Sequence, residues 1–97
     1  MIEEDLAKRI ERYFRIEEEA IKKIRISPAE GSFLRKIAED NMEMIMSYYS
    51  DAKDFYRKGD LINAFAALNY SYGWIDAGVR LGIFDGAGDH RLFTLYE

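Results

Sequence analysis

The chain has 97 residues, of which 48% are hydrophobic and 33% charged, with a formal charge of −4. That length suits one domain, spanning residues 1–97, with a core of its own, and the composition leaves no room for a long disordered arm. The absence of cysteine excludes disulfides, thiolate metal sites and cysteine nucleophiles, while the negative charge disfavours nucleic acid as a partner.

The opening segment, MIEEDLAKRIERYF, is too charged for a signal peptide, and no apolar run approaches ~18–20 uninterrupted residues. A cytoplasmic protein with no membrane partner is the expectation. Over residues 3–26, Leu6, Ile10, Tyr13, Phe14, Ala20, Ile21 and Ile24 recur at steps of three and four, which places them on one stripe of a first helix. Acidic Glu3, Glu4 and Asp5 lead it and basic Lys22, Lys23 and Arg25 close it, the order the helix dipole favours. Pairs such as Glu4/Lys8 and Glu18/Lys22 support it locally, so the charge run reads as a solvated face. Glu17 falls in the middle of the apolar stripe. It is either a carboxylate that reaches water or a structural cation, or a buried acid with a raised pKa.

Ser27-Pro28-Ala29-Glu30 reads as a capping box with Pro at the first helical position, predicting a second helix over 28–58. Gly31, so close to that start, is an unfavourable helix residue. Leu34, Ile37, Ala38, Met44, Ile45, Tyr48, Ala52 and Phe55 form its stripe, with Asn41 at the centre. Lys58-Gly59-Asp60 supplies a Gly stop and an Asp N-cap, and so short a connection makes the flanking helices antiparallel neighbours.

The third helix, predicted over 60–84, is apolar on nearly every side. Leu61, Phe65, Leu68, Tyr72, Ile75, Val79 and Ile83 make its main stripe. Ala64, Ala67, Ser71, Gly78 and Gly82 make a flank of small side chains that lets a neighbour approach. Ala66, Tyr70, Trp74, Ala77, Leu81 and Phe84 make a second apolar face pointing away from the first. A helix apolar on two sides is normally covered on both. After it, Asp85-Gly86-Ala87-Gly88-Asp89 is turn chemistry, and the tail over 85–97 ends in a segment containing Leu92, Phe93 and Tyr96. The fold class that follows is an all-α, antiparallel up-and-down three-helix bundle with a short C-terminal tail.

Two constellations stand out. Counting outward from turns at Ser27 and Gly59 sets Glu17 level with Arg80 and Asn41 level with Asp76. These four form a candidate polar layer, either a device that fixes helix register or a small-ligand cleft. Tyr70, Trp74, Leu81 and Phe84 form a candidate interface for a partner protein or a second copy, unless the tail covers them. His90 is the only histidine and sits in a loop. There is no HExxH, no P-loop and no glycine fingerprint after a strand, so no catalytic residue, metal ligand or cofactor is assigned.

The residues Lys58-Gly59-Asp60, Asn63-Ala64, Ala66-Ala67-Leu68, Tyr70 and Gly73-Trp74-Ile75-Asp76-Ala77-Gly78-Val79-Arg80-Leu81-Gly82-Ile83-Phe84 resemble a family of short archaeal proteins known as a domain of unknown function. Tyr48-Tyr49 and Asp51-Ala52-Lys53 add to the likeness, and GW-x-DAG-x-RLG is its specific core. The resemblance implies a three-helix bundle in an archaeal cytoplasm, and it implies no activity. The function expected is an interaction module, self-associating or docking a protein partner through the outward aromatic face. The second reading is a small-ligand binder or minor enzyme using the polar layer.

Overall fold

A computed structural model describes residues 2–93, the side chain at position 3 excepted. Three helices carry the chain: α1 (Ile2–Lys23), α2 (Phe33–Arg57) and α3 (Leu61–Leu81). Two short strands, β1 (Arg25–Ile26) and β2 (Phe84–Asp85), pair antiparallel with Arg25 opposite Asp85 and Ile26 opposite Phe84. This is the expected all-α bundle, and its helix ends differ from the expected ones for identifiable reasons.

The first helix stops at Lys23 rather than at 26. Arg25 turns its guanidinium onto the open C-terminal carbonyls, donating to Lys22 O at 2.8 Å and Ile24 O at 3.0 Å. Beyond it the backbone is satisfied by β2, and Ser27 N–H donates to Ile83 O at 3.0 Å. Ser27 therefore does not cap α2. Ser32 does, its hydroxyl accepting from Arg35 N–H at 3.1 Å. Gly31, at φ +80°, supplies the left-handed step of the turn that precedes it.

The other two helix ends share one motif. At Gly59, the N–H groups of Gly59 and Asp60 donate back to Tyr56 O and Phe55 O, and Asp60 then caps α3 through Asn63 N–H. At Gly82, also left-handed, the N–H groups of Gly82 and Ile83 donate to Val79 O and Gly78 O. The third helix thus ends at Leu81, and Phe84 leaves the helical face expected for it. Its ring turns back onto Gly78, where an added Cβ would lie 2.2 Å from the ring. Of the glycines in the GW-x-DAG-x-RLG run, Gly78 seats a ring and Gly82 turns the chain; Gly73 has open space around it.

The core has two parts. Ile10, Tyr49, Ala52, Ala67 and Leu68 pack at one end of the bundle. Ala20, Ile24, Ala38, Ile45, Ile75, Val79, Ile83, Phe84, Leu92 and Phe93 pack at the other. The tail is part of this second cluster. Phe93 lies against Gly86, the Tyr72 hydroxyl donates to Leu92 O, and Lys23 pairs with Asp89 at 2.7 Å. Tyr96 lies outside the described residues.

The third helix packs most extensively on α2, where its small side chains allow close approach: Ser71 Oγ reaches Ile45 O at 2.9 Å. The first helix reaches α2 through longer side chains. Phe14 meets the Tyr49 and Tyr56 rings at 5.8 and 5.7 Å, and the Tyr56 hydroxyl donates to Glu11 at 2.6 Å. The result is a flattened body with extents of 48 × 26 × 17 Å, with α3 between its neighbours.

Candidate functional site

Burial splits the apolar residues of α2 between two faces. Ala38, Ile45, Tyr49 and Ala52 are buried against α3 and α1. Leu34, Ile37, Asn41, Met44 and Tyr48, spaced three and four apart, form a second stripe on which Leu34 and Ile37 are exposed. Those two were expected in the core. The Tyr48 ring lies 4.5 Å from that of Tyr70, which in turn lies 6.4 Å from Trp74. This stripe therefore adjoins the outward stripe of α3, Tyr70-Trp74-Ala77-Leu81, in one apolar face. Tyr70 and Leu81 are exposed and Trp74 is half-buried. Phe84 is buried and leaves the candidate interface; Phe33, Leu34 and Ile37 join it. Sequence reasoning missed those three because a periodic stripe does not say which neighbour it faces.

Among the described residues, the tail as far as Phe93 does not cover this face. It seats Leu92 and Phe93 beside Tyr72 on the other side of α3, because Gly86 gives Phe93 a place and Asp89 closes the turn through Arg91 N–H and Leu92 N–H.

The proposed polar layer is redistributed. Glu17 is fully buried, and its partner is Ser71, whose Oγ lies 2.7 Å from Oε2. The sequence count placed Arg80 at this level because it assumed a tight turn at Ser27; residues 24–32 form a longer connection instead, the strand β1 followed by a turn over 29–32, so α1 meets α3 at another level. Arg80 is exposed. Asn41 and Asp76 are half-buried and fall at one level of the α2–α3 pair, with Asn41 in the middle of the outward apolar stripe. Ser71, grouped in the sequence with the small side chains, is the residue overlooked; the signal was a lone hydroxyl in an otherwise apolar flank.

Burial pushes the Glu17 carboxyl up to about 7, opposed in part by the Ser71 hydrogen bond. A serine hydroxyl has one proton and here stands between two oxygens, Glu17 Oε2 and Ile45 O. Both contacts are satisfied when Glu17 is protonated: the carboxyl donates to Ser71 Oγ and Ser71 donates to Ile45 O. On ionisation Ser71 must turn its proton to the carboxylate. The other oxygen, Oε1, is buried without a partner.

Beside Glu17, between α1 and α3, opens a groove of about 210 Å³ lined by Tyr13, Ile16, Glu17, Leu68, Asn69 and Tyr72. Burial, then the charges of Asp76, Glu17, Asp89 and Glu19, push the Tyr72 hydroxyl up to about 12. Elsewhere on α1, Lys8, Arg9, Arg12 and Arg15 line a shallow surface depression with Asp5. His90 is exposed in the tail. Among the described residues no three acidic or histidine side chains converge as metal ligands, and no helix is long and apolar enough to cross a membrane.

No curated protein and no solved structure matches the chain. A family model does, over residues 12–84, which takes in α2, α3 and the Gly78–Phe84 packing in full: the chain belongs to the family described as Protein of unknown function (DUF357).

Proposed function

We propose that this protein is an interaction module that self-associates through the joint apolar face of α2 and α3. The observation that carries this reading is the exposure of five large apolar side chains on that face: Phe33 75%, Leu34 54%, Ile37 37%, Tyr70 54% and Leu81 73%. Taking about 200 Å² for a large side chain, they present roughly 600 Å², close to the ~800 Å² per partner of an ordinary stable interface. Tyr48, Met44, Trp74 and Ala77 lie between them and supply more. An apolar area of this size lies at the upper end of what monomers expose, where such patches are often functional.

A second copy is the occupant that best fits the patch. A two-fold contact needs a surface complementary to itself, and two flat helix pairs stacked face to face would close a core of the kind α3 already makes on its other side. Asn41, alone and polar in the stripe, suits the same geometry, since an amide near a two-fold axis donates to and accepts from its own copy. We attach a cytoplasmic setting to this reading, for which a chain without cysteine is suited.

Light scattering or sedimentation across a concentration series tests it. The expected mass is twice the 11.3 kDa of the chain, reverting to the single-chain value in Leu81→Glu while the helical circular dichroism is retained. A monomer at every concentration overturns the reading, as does a dimer indifferent to substitution at Leu81 and Leu34.

A further inference from the structure

We propose that the groove between α1 and α3 binds a small organic amine, its apolar body lying between Tyr13, Ile16, Leu68 and Tyr72 and its ammonium group meeting Oε1 of Glu17. The site is on a different side of α3 from the self-association face and does not rest on that reading.

Four observations converge. The groove, about 210 Å³, is smaller than the ~300–1,000 Å³ of drug-sized pockets, so its occupant is small. Its walls are almost wholly apolar, which suits the hydrocarbon body of a small ligand. At its base lies the Glu17 carboxyl, one oxygen engaged by Ser71 and the other without a partner and closed to solvent, so an ammonium meets it only by displacing the side chains that cover it. An unpartnered buried acceptor is costly, and a donor from a ligand relieves it. Finally, the charge around the groove is negative. From α3 Asp76 acts on Tyr72, and from α1 and the tail Glu19 and Asp89 do so as well. From α2 the facing titratable group is Tyr49, a neutral phenol, its pKa raised by burial and by Glu18 and Glu17. Asp89 and Glu19 are themselves paired, with Lys23 and Arg91, so the charge a ligand meets is chiefly that of Glu17. A carboxylate ligand would meet repulsion, and an alcohol would leave the charge complementarity unused.

Binding is coupled to a proton. With the carboxyl at about 7, an ammonium arriving below that pH displaces the Glu17 proton to solvent, and Ser71 turns to donate to Oε2. The affinity for an amine should therefore rise as pH rises through 7 and then level off.

The test uses the full chain and three probes of one length: hexylamine, hexanol and hexanoate. Calorimetry at about pH 8 should give the amine at least roughly a tenfold advantage over the alcohol, the scale of one charged hydrogen bond. Glu17→Gln should abolish that advantage, bringing the amine-to-alcohol affinity ratio down to about one. In the wild-type protein, the carbon signal of the Glu17 carboxyl at about pH 6 should move to its ionised position on adding hexylamine; this readout needs no variant to fold. Equal affinity for amine and alcohol, tighter binding of hexanoate, or an unmoved Glu17 signal at saturating hexylamine each overturns the proposal. None of these results bears on the solution mass, so the two proposals fail separately.

Discussion

Replacing Glu17 with Gln should alter the pH dependence of stability more than stability itself. The buried carboxyl titrates at about 7 in the folded chain against 4.5 as its ordinary value. Between those values the unfolded chain has lost this proton and the folded chain still holds it. The folded state binds more protons, so stability falls as pH rises through that window and levels off above 7. The size of the fall from this one group is about 3 kcal/mol. Gln resembles the protonated acid: its amide donates to Ser71 Oγ and leaves Ser71 free to donate to Ile45 O. It also brings an extra buried N–H, which costs about 1–2 kcal/mol.

The variant should accordingly be less stable than wild type near pH 4 and more stable near pH 8, by about 1–2 kcal/mol in each case. For a chain of this size that is roughly 5–10 °C in Tm, with the sign reversing between the two conditions. Thermal or urea melts followed by circular dichroism at fixed protein concentration measure it, and titrations common to both proteins cancel in the difference. Curves for the two proteins that run parallel from pH 4 to pH 8 would refute the assignment of a buried, proton-holding carboxyl.

Two further substitutions separate the glycines of α3. Gly78→Ala places a methyl 2.2 Å from the Phe84 ring and should cost about 1–3 kcal/mol in a urea melt, whereas Gly73→Ala has open space in a helix interior and should gain about 0.5–1 kcal/mol. Tyr72→Phe removes the hydrogen bond to Leu92 O; the expected loss is about 1 kcal/mol, with amide exchange around Leu92 and Phe93 accelerated before that of α2, and uniform acceleration throughout would count against a local tether.

The three helices were legible in the sequence because helical periodicity and caps are local. The Gly59-Asp60 stop and start is encoded within four residues on either side, and the structure forms it with the bonds those residue types favour. Ser27 and Phe84 were misread for one reason. Each is drawn out of a helix by a partner distant in sequence, Ser27 by Ile83 O and Phe84 by its strand pairing with Ile26. The sequence marks Gly31 as an unfavourable helix residue and Gly82 as part of a small-side-chain flank; both instead take left-handed turn conformations.

What the sequence determined by itself was where each apolar stripe lies on its own helix, including the anomalous Glu17 and Asn41 within theirs. Only the tertiary structure decided which stripe is covered. The wheel positions of Leu34, Ile37 and Asn41 are as regular as those of Ala38 and Ile45, yet one set lines the outward face and the other the core. Periodicity fixes directions relative to a helix axis, whereas burial depends on the rotation and sliding of whole helices against each other. That freedom is what the long connection over residues 24–32 exploits when it brings Glu17 to Ser71.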